Sequence, residues 1–294
     1  MKRLSIYVVS IIVSSLIIIS GCGKNDAPPT NPTTNPSPNP SPPVTPKNCI
    51  IAGVSQQNTG AKSDFAITVT YNNDNPTRII VFDSLANTKV FEANLSYVTA
   101  DSIRIDSYQY IKLDASKRVS VFVTKSDMSI PASADDYKYV YSYNTDGYLS
   151  TKKLYINGSA TPFQNTVYTY TNNLLSKCIM TVANNTSLKV LESDITYDNN
   201  ITLKNWIYTF PDAFESNIYN TVLNFGNKAN KAISKIETKI FNPSNGNILD
   251  TWTTNYNTYT LNTDGYLQSA TAAGDLQQGI ASFYGKTAFY YLCK

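Results

Sequence analysis

One unit recurs along this chain and narrows what it can fold into: an alternating stretch rich in tyrosine or β-branched residues, a turn of Asn, Asp and Gly, and a second alternating stretch. Tyr139 to Tyr143 alternates, turns at Asn144-Thr145-Asp146-Gly147 and resumes as Tyr148 to Tyr155. Val167 to Tyr170 turns at Thr171-Asn172-Asn173 and resumes from Leu174 to Met180, and Tyr256 to Leu261 turns at Asn262-Thr263-Asp264-Gly265 before Tyr266-Leu267. Looser copies follow at Ile67 to Tyr71 with Asn72 to Asn75, at Tyr108 to Phe122, at Ile195 to Tyr197 with Asp198 to Asn200, and at Ile236 to Phe241 with Asn245-Gly246. Period-two alternation suits strands with one buried face. Asp-Gly and Asn-Asn supply the positive φ of tight hairpins. A unit of this kind cannot bury its apolar face alone, so neighbours must pair side by side. The expectation is an all-β fold: an antiparallel meander of repeated hairpins forming one long twisted sheet, either open or partly curled.

The Tyr-x-Tyr-Asn-x-Asp-Gly-x-Leu run from Tyr141 to Leu149 resembles the YD (Rhs-type) repeat, which also occurs in Bacteroidota lipoproteins of the DUF4595-like type. Asn224-Phe225-Gly226-Asn227-Lys228-Ala229-Asn230 is similar to the Asn-Lys-rich insert between repeats in those proteins. The resemblance spans most of residues 65 to 285. It implies a long antiparallel sheet and brings no catalytic residues with it. The exception to the pattern is the segment near 212–235. Pro211-Asp212-Ala213-Phe214-Glu215 can start a helix with Asp212 near its N-terminus, and the segment reads as a loop with a short helix over an end or face of the sheet.

The N-terminus sets the location. Met1-Lys2-Arg3 is a positive start, and the apolar run Leu4 to Ile19 is shorter than the roughly 20 residues a spanning helix needs. Small residues then lead into a cysteine, so 1–21 reads as a secretory signal peptide. Ile19-Ser20-Gly21-Cys22 resembles the bacterial lipobox, which implies cleavage before Cys22 and lipid on it. Lys24-Asn25-Asp26 resembles the charged tripeptides that send some Bacteroidota lipoproteins to the cell surface. Residues 22–47 are dominated by Pro, Asn, Thr and Ser, with no apolar set to bury, and form a semi-rigid polyproline II spacer. Residues 48–294 form a single β-repeat domain. The expected address is the outer membrane or cell surface, with the membrane as a partner through the Cys22 lipid.

Composition then excludes chemistries. The chain has no histidine, which removes histidine-based triads, histidine general bases and the usual zinc sites. The 24 basic residues nearly balance the 21 acidic ones, with no basic stripe of the kind nucleic acid requires. Cys49 and Cys293 stand at the two ends of the folded region. An oxidising compartment permits a disulfide between them, and two buried thiols remain the alternative. Cys178 reads as a small core residue.

Gly279 to Thr287 is superficially a phosphate loop, but five residues separate its glycines where four are needed. Asp146 and Asp264 lack the flanking ligands of a calcium loop and read as turn residues. No cofactor or metal is expected. Glycoside hydrolysis needs two facing carboxylates, and Asp135 with Asp136, Glu192 with Asp194, and Asp212 with Glu215 are pairs by sequence proximity alone. The 22 tyrosines leave one more reading. Half of them should be core and half should line an outer face, where exposed aromatics among Asn and Thr suit glycan or protein surfaces. Trp206 and Trp252 are the candidate ligand-binding aromatics. Three functions follow: a non-catalytic binding module for glycan or protein, a structural or assembly component of an outer-membrane lipoprotein complex, or a carboxylate-dependent glycan hydrolase or lyase. The absent histidines disfavour an enzyme.

Overall fold

The computed structural model describes residues 48–57, 64–182, 185–204, 217–275 and 285–294. The signal peptide 1–21, the tether 22–47, Trp206, Asp212, Glu215 and most of the loop from Gly279 lie outside the described residues.

The described chain is almost all strand. The first half holds β1 (Cys49–Gln57), β2 (Phe65–Asn72), β3 (Asn75–Asp83), β4 (Thr88–Asn94), β5 (Ser96–Thr99), β6 (Ser102–Arg104), β7 (Tyr110–Leu113), β8 (Val119–Lys125) and β9 (Asp136–Tyr143). The second half holds β10 (Leu149–Ile156), β11 (Gln164–Thr171), β12 (Leu174–Val182), β13 (Asn185–Thr202), β14 (Lys231–Phe241), β15 (Ile248–Leu261), β16 (Leu267–Gly274) and β17 (Gly285–Cys293). Among the described residues one short helix, α1 (Asn217–Val222), falls inside the segment where the repeat pattern breaks.

Each strand pairs antiparallel with the next, and the sheet curls until β17 pairs antiparallel with β1, Cys49 opposite Cys293. The sheet is therefore curled into a nearly closed, barrel-like ring with a seam at β4 and β5. The exception to the next-neighbour rule is β4 and β5, which share no ladder. Leu95 separates them and continues the β3 ladder by donating its N–H to the Thr77 carbonyl at 2.8 Å. The two are one bent line. Counting them so gives an even number of crossings, which an all-antiparallel ring requires. At this bend β5, β6 and β7 are only three or four residues long beside neighbours of seven to nine, and the wall is notched there.

The core lies inside the ring. Ile51, Val69, Ile79, Ile103, Ile111, Tyr141, Leu154, Tyr168, Cys178, Ile236, Tyr256 and Phe289 belong to one buried cluster that draws on nearly every strand. Alternate residues face out, as in Asp136, Lys138 and Ser142 between the inward Tyr137, Tyr139, Tyr141 and Tyr143. Cys49 and Cys293 are joined, tying the two ends of the ring across 244 residues. Chain entropy alone assigns such a crosslink roughly 5 kcal/mol.

The tyrosines show why the unit repeats. Tyr71 donates its hydroxyl to the Ile51 carbonyl, Tyr143 to Val119, Tyr197 to Leu175, Tyr259 to Ile233 and Tyr291 to Leu267. In every case the acceptor sits at the start of the preceding strand, immediately before a register shift, such as Ile51/Gly53, that interrupts a ladder. A bulge strands a backbone carbonyl, and a tyrosine from the next strand supplies its donor. Burial raises the pKa of Tyr71, Tyr259 and Tyr291, which keeps the donors protonated. The expectation that half the tyrosines line an outer face is thus corrected: among the described tyrosines, Tyr108, Tyr110 and Tyr290 are the exposed ones.

Tyr71→Phe should cost about 1–2 kcal/mol by leaving the Ile51 carbonyl without its donor, measured by urea unfolding. The Tyr71, Tyr259 and Tyr291 hydroxyls titrate above the usual tyrosine value in the fold and near 10 when unfolded. Their stabilisation is present below pH 10 and lost as pH rises beyond it. Urea unfolding of the unsubstituted protein and of Tyr71→Phe, compared at neutral pH and above pH 10, should give midpoints that converge as pH rises, which checks both points.

Candidate functional site

Both chain ends meet at one end of the barrel, here the near end, where Lys294 N–H donates to the Asn48 carbonyl. The same end carries the Asn-Asp-Gly turns, and the described residues 203–204 and 217–230, between β13 and β14, pack onto it as a cap. Phe225 packs edge-on to Tyr141 with ring centres 5.2 Å apart, and Tyr219 meets Phe122 at 5.4 Å. Leu203, Tyr219, Leu223 and Phe225 join the lumen core. The cap is fastened to the repeat turns themselves. Asn227 donates from its backbone to the Gly147 carbonyl and from Nδ2 to the Asp146 carbonyl, while Lys204 N–H donates to Gly265. Val119 N–H donates to Asn224.

Gly226 makes this docking sterically feasible. Its φ is +94°, and a Cβ there would stand 2.5 Å from the Gly147 carbonyl oxygen and 2.9 Å from the Tyr143 ring. Arg118 covers the same ring at 4.2 Å and is held by Asp114 at 2.7 Å. Behind the cap, desolvation lowers the pKa of the half-buried Lys228 to about 8.

Between the cap and the notched part of the rim lies a cavity of about 590 Å³. Tyr97, Ile103, Leu113, Val222 and Leu223 supply its apolar lining, and Asp74, Asn75, Thr99, Lys117 and Asn224 its polar lining. Lys294 pairs with Asp74, and Lys117 donates to the Ala100 carbonyl at 2.7 Å. The volume is within the roughly 300–1,000 Å³ of small-ligand pockets. Sequence reasoning missed these residues because they come from three different turns and the cap. No local motif joins them.

The other sequence candidates sit elsewhere. Trp252 lies opposite Thr238, on the lumen face, packed against the second apolar cluster of Met180, Val190 and Leu191, and its Nε1 donates to Asp250 at 2.6 Å. The described acid pairs are engaged in ion pairs or hydrogen bonds. Asp136 meets Lys125 at 2.7 Å, and Asp135 accepts from Asn157 at 2.6 Å. Lys177 bridges Glu192 at 2.7 Å and Asp194 at 2.8 Å, with Lys189 also on Glu192. The Lys177 and Lys189 hydrogen bonds lower the pKa of Glu192, opposite to what a general acid needs. Among the described residues no group of three or more acids or cysteines could hold a metal.

No family model and no curated protein matches the chain. Among solved structures, a porin-like protein from Bacteroides uniformis ATCC 8492 superposes with a TM-score of 0.54 at 17% identity, over 83% of this chain and 96% of its own. A porin-like protein from Bacteroides vulgatus ATCC 8482 does so with 0.50 at 14%, over 83% and 99%. These likenesses concern the fold: a large, barrel-like antiparallel sheet. A lipid-facing barrel is apolar outside and polar within, and here the apolar residues line the lumen while Lys177, Lys189, Glu192, Lys235 and Glu237 occupy the outer wall.

Gly226→Ala should force the cap off the Gly147 turn. Hydrogen exchange at the Asn227 amide should accelerate sharply, with a stability loss of a few kcal/mol. Gly246→Ala is the control: its φ is also positive, at +75°, but nothing lies within 4 Å, so only the backbone cost of about 1 kcal/mol applies.

Proposed function

We propose that the protein is a lipid-tethered, non-catalytic binding module of the outer membrane or cell surface that holds glycan or protein. One observation carries the reading: the described lumen is filled by one mainly apolar buried cluster, the outside is polar and one end is capped, so the accessible surfaces are the rim and walls. The N-terminal signal, the lipobox at Cys22 and the proline-rich tether supply the address. Cys49, which the proposed tether precedes in the sequence, lies at the near end, so the side walls and far end are the surfaces furthest from that junction. The Bacteroides origin of the structural neighbours and the YD-like turns favour a DUF4595-like lipoprotein of that kind. The cavity at the notched rim is a recess for one group of the ligand. The ion-paired acids speak against the hydrolase or lyase reading.

An assembly role within a lipoprotein complex is the second reading. It is favoured by the notch, where the outer edge of β4 has no ladder partner among the described strands and Val90, Val98 and Tyr110 are exposed.

The test presents full-length protein to a glycan array and to envelope extracts. Saturable retention of a glycan or envelope protein is expected. Ala100→Trp, an exposed rim substitution that fills the cavity, should weaken a cavity-held ligand at least tenfold. Retention of neither, together with fixed crosslinked neighbours in intact cells, would transfer the case to the assembly role.

A further inference from the structure

We propose that the outer wall formed by β16, β17, β1 and β2 is a docking face for a neutral polysaccharide, with Tyr290 as its stacking platform. The proposal rests on the binding-module reading and names its ligand class and site.

Charge is distributed unevenly around the barrel. β12, β13 and β14 carry a ladder of lysines, glutamates and aspartates. Across the four consecutive strands β16, β17, β1 and β2, Lys286 is the one charged residue. Most outward positions there are hydroxyls, amides and small side chains, among them Ser55, Thr68, Thr70 and Gln268, with the exposed Leu292 two residues along β17 from Tyr290. A wall of charged pairs requires no ligand to be explained, because it keeps a protein soluble. A wall almost without charge gives up that benefit, and it matches an uncharged partner.

Tyr290 stands in the middle of this wall and differs from the clasp tyrosines. It pairs with Gly53, faces out and is 57% exposed. A Cβ at Gly53 would meet Tyr290 Cδ2 at 3.6 Å, and the Tyr290 hydroxyl reaches Ser55 Oγ at 3.4 Å, two residues further along β1. The ring therefore runs along β1 past Gly53 toward Ser55 and stays more than half exposed. Such a ring offers a flat apolar surface for the C–H face of a sugar. The hydroxyls and amide around it offer donors and acceptors for the sugar's own hydroxyls.

A protein partner fits less well. Protein interfaces are anchored by Trp, Tyr or Arg in pockets, and these four strands contain no Trp, Arg or Met while their exposed tyrosine runs along β1. The face ends at the β2–β3 turn, where Asp74, Asn75 and Pro76 wall the cavity. A polymer crossing it is led to the recess.

Affinity electrophoresis of the full-length chain tests this, using gels that contain dextran, xylan, mixed-linkage β-glucan or α-mannan, with polygalacturonate as the anionic comparison. At least one neutral polysaccharide should retard the protein. Tyr290→Ala should weaken that retardation at least tenfold, and Tyr290→Phe should keep most of it. Thr68→Glu sets a carboxylate opposite Gly53 at an exposed site and should weaken it similarly, with the unfolding midpoint held near that of the unsubstituted protein. The proposal is overturned if Tyr290→Ala and Thr68→Glu bind normally while Ala100→Trp does not, an outcome that leaves the binding-module reading intact. It is also overturned if polygalacturonate alone retards the chain. Silence on every polysaccharide with capture of an envelope protein would remove the glycan and keep the module.

Discussion

The bond between a tyrosine hydroxyl and the carbonyl stranded by a bulge is the constraint on which this barrel depends. A ring this wide must bend at every second strand, and bulges supply the bend by breaking the ladder. Each break leaves a buried acceptor, and an unsatisfied buried carbonyl costs about 1–3 kcal/mol. Tyr71, Tyr143, Tyr197, Tyr259 and Tyr291 meet that need with one solution used five times. The aromatic body of the same side chain fills the lumen, so one residue type answers both the curvature problem and the packing problem. Phenylalanine would solve only the second.

This also explains why the turns look alike. A tyrosine that must reach a carbonyl on the preceding strand has to end its own strand at a fixed height, so the turn follows at once: Tyr143 before Asn144, Tyr71 before Asn72. The Asn144 side chain accepts from Tyr148 N–H at 2.9 Å, and Asn262 accepts from Tyr266 N–H at the same distance. The turn backbone is thereby set so that Asp146, Gly147 and Gly265 present carbonyls away from the sheet. Those carbonyls are what the cap grips. The repeat consequently builds the wall and also the docking points for the one segment that departs from it.

Much of this was legible in the residues. Alternation and turn chemistry announce an antiparallel meander, and the break near 212–235 announces an insertion, because both are local signals. Closure was not legible. Whether the first strand meets the last depends on accumulated twist and bulge count, and no window of sequence contains it. Cys49 and Cys293 hinted at it only through their positions. The tyrosine orientation was misjudged for a related reason. In a flat strand Tyr137, Tyr139, Tyr141 and Tyr143 share a face, but which face is buried is decided by the direction in which the sheet curls. Once the ring closes, all four point inward. The cavity was invisible because it lies between separate elements: three short strands and the cap.

Inward aromatics change what a barrel of this shape can be. In a membrane pore the strand alternation places apolar residues against lipid and polar ones around water. Reversing that alternation by one residue turns every side chain over and converts a channel wall into a solid body with a wet exterior. Likeness of backbone to porin-like proteins therefore leaves the side-chain phase to be decided separately, and here Lys177, Glu192 and Lys235 on the outer wall decide it. A barrel filled inside by one buried cluster has its outer wall as the accessible surface among the described residues. What it can offer is area: a long, rigid wall held by its nearly closed ladder, on which a flat ring such as Tyr290 keeps one orientation because the strand beneath it cannot move away.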